Sequence, residues 1–115
     1  MARLFRELKR GSTKALILSV LESKPMYGYQ IIKKIRDQSQ GYFDLSEGSL
    51  YPALHSLERE GFIGSYWKAI GGRERKYYQL TEKGARFLRQ LLREWNSFVS
   101  NISVFLTQQG EQAGG

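Results

Sequence analysis

Gly61-Phe62-Ile63-Gly64-Ser65-Tyr66-Trp67-Lys68-Ala69-Ile70-Gly71-Gly72-Arg73-Glu74-Arg75-Lys76-Tyr77-Tyr78-Gln79-Leu80 is the stretch where the character of this 115-residue chain changes. Before it, apolar residues recur at helical spacing. Within it, Phe62 to Trp67 and Tyr77 to Leu80 are rich in the aromatic and β-branched residues that strands favour. A polar hinge separates the two runs, and Gly71-Gly72 inside it signals a hairpin turn. The hairpin tip and its descending arm carry three cations, Arg73, Arg75 and Lys76.

Three helices precede the hairpin. Ser12 and Thr13 can cap the first, whose apolar positions Leu16, Ile17, Val20 and Leu21 share one face, and Lys24-Pro25 ends it. The second starts near Gly28, carries Ile31, Ile32 and Ile35 as an apolar stripe with Lys33, Lys34 and Arg36 turned away, and stops at Gly41. The third carries Leu50, Ala53, Leu54 and Leu57 inward and ends at Gly61. Two starts are open for it. Ser46 as N-cap leaves Pro52 inside the helix, whereas Ser49 as N-cap puts Pro52 at the third helical position, where a missing N–H costs little.

Three short helices followed by a basic-tipped hairpin is the order of a winged helix-turn-helix, in which the third helix can enter the major groove while the wing touches the backbone. The fold expected is mainly α with a small β-hairpin. The third helix presents Glu47, Gly48, Ser49 and Tyr51 near its N-terminus, where hydroxyls and helix N–H groups can meet phosphates or base edges. Ser46 and Ser49 can equally serve as caps alone, Tyr51 can simply pack, and the wing cations can be a solvated turn. Cations clustered beside a helix-turn-helix favour phosphate contact.

Beyond the hairpin, Thr81 can cap a last helix in which Leu88, Leu91, Trp95, Phe98, Ile102 and Phe105 follow at alternating steps of three and four, a heptad seam widened by Leu92, Val99 and Leu106. At 1.5 Å per residue the segment 81–108 makes a rod of about 40 Å, longer than so small a domain can cover. Such a stripe needs a partner, and an identical subunit is the commonest. At the other end Leu4, Phe5 and Leu8, flanked by Arg3, Arg6, Lys9 and Arg10, form a second strip suited to packing on the last helix or reaching DNA. The expected organisation is a DNA-binding unit over 1–80, a dimerisation helix over 81–108 and a loose tail over 109–115.

Composition narrows the function. Lys and Arg number 18 against 11 Asp and Glu, a net charge of +7 that suits a polyanionic partner, although a basic surface can also serve solubility. There is no cysteine, which excludes disulfides and thiolate chemistry. The longest apolar run, Ala15 to Leu18, is far too short for a membrane span, and charges interrupt the N-terminus where a signal peptide would be apolar, so the cytoplasm is the expected compartment. His55 is the single histidine, a residue type that on a helix is usually structural, and no Gly-rich phosphate loop or paired metal motif accompanies it. No catalysis, metal or cofactor is expected. Basic charge does not by itself separate duplex DNA from RNA, which leaves a dimeric RNA-binding or protein-interaction module as the alternative; the helix-and-wing pairing suits a DNA major groove, and A-form RNA offers one too deep and narrow.

The segments Met26-Tyr27-Gly28-Tyr29-Gln30-Ile31, Gly48-Ser49-Leu50-Tyr51-Pro52-Ala53-Leu54, Leu57-Glu58-Arg59-Glu60-Gly61 and Tyr77-Tyr78-Gln79-Leu80-Thr81 recur in the order and spacing of the PadR-like transcriptional regulators, and over residues 11–106 the chain resembles the short members with one long terminal helix. The resemblance implies a homodimeric repressor on a palindromic operator in double-stranded DNA. It implies Ser49 and Tyr51 of the third helix and Arg73, Arg75 and Lys76 of the wing as DNA-facing residues. Some short relatives hold flat, apolar molecules in a pore between subunits against a tryptophan of the terminal helix, and Trp95 sits at a similar place. Trp95 is therefore a candidate for a small aromatic effector, with a packed seam residue as the other reading.

Overall fold

Gly71 and Gly72 take φ of +60° and +79°, the positive values that a two-residue hairpin link with the twist of its strands demands. In the computed structural model, which describes the backbone of residues 2–114 and the side chains of residues 12–107, this link joins β2 (Ile63–Ile70) to β3 (Arg73–Leu80). The ladder runs unbroken from Ile63↔Leu80 to Ile70↔Arg73. No polar hinge interrupts it: so short a link brings its flanking residues directly opposite one another, and they continue the pairing although their side chains are hydrophilic. A third strand, β1 (Met26–Tyr27), pairs antiparallel with β3 on its other side, giving the order β1-β3-β2.

Around this sheet stand α1 (Ala2–Leu21), α2 (Gly28–Gln38), α3 (Glu47–Arg59) and α4 (Glu82–Gly114). One core joins them, with Ile17, Leu18 and Leu21 from α1, Ile31 and Ile35 from α2, Leu50, Leu54 and Leu57 from α3, and Met26, Ile63 and Tyr78 from the sheet. Leu88 completes it from α4.

Two local expectations change, both on the first helix, and one left open is resolved. The first helix does not start at Ser12 or Thr13: α1 passes through both, because Thr13 is buried one turn before Ile17 on the core-facing side, and a single glycine, Gly11, costs a helix only about 1 kcal/mol. The same helix stops at Leu21, ahead of Lys24-Pro25. The strip Leu4, Phe5 and Leu8 lies on α1, but its side chains fall outside the described residues. Of the two starts open for α3, Ser46 is the N-cap, its Oγ accepting from the Ser49 backbone N–H at 3.2 Å. Pro52 is thus internal, and the carbonyl it leaves without an N–H belongs to exposed Gly48, where water can serve it.

Thr81 does cap α4, accepting from the Gly84 N–H at 3.0 Å while its hydroxyl donates to the Gly61 carbonyl at 2.7 Å. The helix continues through Gly114 without a break at residue 108; side chains from 108 onward, and with them the tail over 109–115, lie outside the described residues. Among the described residues α4 joins the core through its first turns, at Phe87 and Leu88. From Leu92 to Thr107 every position but Ser103 is exposed, and the molecule measures 62 × 28 × 21 Å.

Candidate nucleic-acid interface

The four sides of α3 have four different surroundings. Leu50, Leu54 and Leu57 are fully buried. Opposite them Gly48, Pro52, His55 and Arg59, at steps of four, three and four, are exposed and share one face. On one flank Ser56 and Glu60 hold the ammonium of Lys14 from α1, at 2.8 and 3.4 Å. On the other flank Tyr51 and Glu58 lean toward α2 and the wing. His55, expected to serve structure, thus lies on the one uncommitted face. Both it and Arg59 were missed as surface residues, yet they follow by helical spacing from Gly48 once the start of the helix is known.

Ser49 and Tyr51 sit on opposite edges of the exposed strip. Ser49 is exposed, and its Oγ accepts from Ser46 Oγ at 3.2 Å. Tyr51 is partly exposed, with its phenol lodged against the first residue of α2: a methyl group at Gly28 would stand 2.5 Å from Tyr51 Oη and 3.4 Å from Leu50 Cδ2. Gly28 thus lets α2 and α3 close on each other through Tyr51. Behind it, burial raises the pKa of Tyr78 above the usual phenol range, with the neighbouring Tyr51 and Glu58 acting in the same direction. The phenol therefore stays neutral beside the carboxylate.

Strand alternation divides the wing cations. Arg73, Arg75 and Tyr77 lie on one face of the hairpin with their cross-strand partners Ile70, Lys68 and Tyr66. On this face Tyr77 meets Tyr27 edge-on at 5.5 Å and stacks on Tyr66 at 5.8 Å. The Arg75 guanidinium lies 4.4 Å from the Tyr27 ring centre and the Lys68 ammonium 5.7 Å from that of Tyr77, so the rings hold both cations in place. Arg73 is exposed at the tip. Lys76 belongs to the other face, 3.9 Å from Glu58 Oε1 and 5.6 Å from the Tyr78 ring centre. The expected trio Arg73, Arg75 and Lys76 is therefore not one patch. Lys68 was missed because its nearness to Arg75 becomes visible only with the cross-strand register.

On α4, Leu88 is spent on the chain's own core and is not available as a seam residue, because the first turns of the helix pack beside Phe62, whose ring stacks on Phe87 at 4.3 Å. The open apolar face begins at half-buried Leu91 and continues through Trp95, Phe98, Ile102 and Phe105, with Phe105 67% exposed. Trp95, 57% exposed, stacks on Phe98 at 6.0 Å. Together with Leu91, Leu92, Leu16 and Phe43 it also lines an apolar cavity of about 340 Å³ between α1 and α4.

Among the described residues no group of His, Cys, Asp and Glu is placed to hold a metal ion, and no helix is long and apolar enough to cross a membrane. The family described as "Transcriptional regulator PadR-like family" matches residues 17–90. The chain is 30% identical over 96 residues to the transcriptional regulator Rv3488 of Mycobacterium tuberculosis, covering 77% of this chain and 87% of that one. Among solved structures, a PadR family transcriptional regulator from Eggerthella lenta matches with a TM-score of 0.81 at 32% identity, over 91% of this chain and 90% of the other. A transcriptional regulator from Clostridium thermocellum matches with a TM-score of 0.79 at 33% identity, over 86% of this chain and 97% of its own.

Proposed function

The chain belongs to the PadR-like family of DNA-binding transcriptional regulators, which are not enzymes, and on that premise we propose that it is a cytoplasmic homodimeric repressor whose two α3 helices and wings take the two halves of a palindromic operator. The observation that carries the reading is the exposed strip Gly48, Pro52, His55 and Arg59, the one side of α3 that the fold leaves uncommitted. Entering a major groove, it brings Ser49 and Tyr51 to the groove walls, while Arg73, Arg75 and Lys68 neutralise phosphates alongside. Residues 1–80 form the reading head and 81–108 the dimerisation helix, whose seam runs from Leu91 to Phe105.

Cations that neutralise phosphates release counterions, which gives a direct test of the wing. Each phosphate that is no longer neutralised makes the slope of log affinity against log salt shallower by about 0.9. Arg75→Ala and Lys68→Ala should each show a change of that size, measured by fluorescence anisotropy with a duplex from the gene's own promoter. Lys76→Ala, held on the opposite face by Glu58, should change the slope less. Equal effects at all three positions would contradict the assignment of faces.

Trp95 gives the dimer a place to sense a small aromatic or apolar effector, since its ring is exposed at the mouth of an apolar cavity on the dimerisation helix. A ligand stacked there would shift α4 and thereby the spacing of the reading heads. Planar aromatic compounds are expected to quench the tryptophan emission of the wild type and to leave Trp95→Phe, which retains Trp67, unaffected. Failure of every member of a broad panel to quench would count against an effector site.

A further inference from the structure

Glu58 reaches both strands of the wing from α3. Its Oε2 accepts from Ser65 Oγ on β2 at 2.5 Å, and its Oε1 lies 3.9 Å from Lys76 Nζ on β3. Ser65 and Lys76 share the helix-facing side of the hairpin, as their cross-strand partners Tyr78 and Trp67 show. Side chains of Glu58 and Lys76 are both about one-third exposed, so water screens the pair incompletely. Outward of this point Trp67, Ala69, Ile70 and Arg73 are all exposed, and on the opposite face Arg75 reaches back to the Tyr27 ring.

A carboxylate on the surface that meets a polyanion would by itself only weaken binding. We propose that Glu58 is a positioning residue, which fixes the angle of the wing against α3 and so keeps the wing's phosphate contacts in register with the helix in the groove. This rests on the DNA-binding reading above. Two strands tied to one carboxylate cannot swing as a unit about their base without breaking the Ser65 bond or separating Lys76 from its counter-charge. Part of the hairpin's orientation is thereby settled before DNA arrives, and less ordering cost falls on binding.

The test compares Glu58→Ala, Glu58→Gln and Ser65→Ala in the full chain, using the promoter duplex and a scrambled duplex of equal length. Losing a charge-assisted hydrogen bond should lower the ratio of the two affinities roughly tenfold in Glu58→Ala. Glu58→Gln removes the same charge but keeps an oxygen that can accept from Ser65, and should retain most of the ratio. Ser65→Ala, the mildest change, should fall between wild type and Glu58→Ala. If Glu58 is only a charge near DNA, Ala and Gln variants will bind both duplexes more tightly by one factor. That result, or any in which the Glu58→Ala ratio equals the wild-type ratio, overturns the proposal.

A second readout needs no DNA. In a Trp95→Phe background the emission anisotropy of Trp67, 65% exposed and directly opposite Lys76, reports motion of the wing. Glu58→Ala should lower it, and an unchanged value overturns the proposal. Should the wild type fail to discriminate the two duplexes, the functional reading falls, and the Trp67 measurement alone decides on the clamp.

Discussion

Replacing Phe98 by glutamate is expected to leave the protein monomeric and to weaken promoter binding by roughly a thousandfold, the order of gain that linking two binding events provides. Phe98 is 56% exposed and stacks on Trp95 in the middle of the open apolar face, so the substitution leaves the chain's own core untouched. In a two-fold dimer the substitution enters from both protomers, so two carboxylates would be placed in one apolar interface. Neither can be buried without several kcal/mol of desolvation. Sedimentation should give a monomer with an unchanged helical circular dichroism spectrum. A glutamate at Leu88 would act differently, since that side chain is buried in the chain's own core and a charge there is expected to destabilise the fold itself. A Phe98→Glu protein that remained dimeric would show that another surface carries the association.

Gly84→Ala is expected to cost about 3 kcal/mol, the upper end for overpacking, and to lower Tm by roughly 10–20 °C. A methyl group there would lie 2.0 Å from the Phe62 carbonyl oxygen and 2.9 Å from Leu80 Cδ1. The first obstacle is backbone, and it is held: the Phe62 carbonyl accepts from the Thr81 N–H at 3.1 Å, and Thr81 Oγ1 binds both Gly61 and Gly84. Relief requires α4 to move away from the start of β2, which breaks the cap at Thr81. Urea unfolding should show the loss. A variant as stable as wild type would mean that α4 can shift at its base without penalty.

Much of the architecture was legible because it rests on local chemistry. Gly71-Gly72 announces a hairpin, Thr81 a helix start, and Ile31, Ile32 and Ile35 a buried stripe, each through a few adjacent residues. The misreadings share a different cause. Ser12 and Thr13 have the chemistry of a cap, but burial of Thr13 against the core decides that the helix runs on. Leu88 has the spacing of a seam, but the distance along α4 at which the core ends depends on tertiary packing. Arg73, Arg75 and Lys76 are neighbours in sequence, yet the pleat of β3 sends Lys76 to the face of Glu58, while Lys68 joins Arg75 from the other strand. Met26 and Tyr27 form too short a run for any periodicity and become a strand only by pairing with β3.

Sequence-specific DNA binding is tested by fluorescence anisotropy of the intact protein with its own promoter duplex and with a scrambled duplex, across a salt series. A sequence-specific dimeric regulator should bind the promoter at least roughly a thousandfold tighter than the scrambled duplex, lose affinity steeply with salt, and place two protomers on each site. Equally weak binding to both duplexes would contradict this and leave a basic protein whose partner is not DNA.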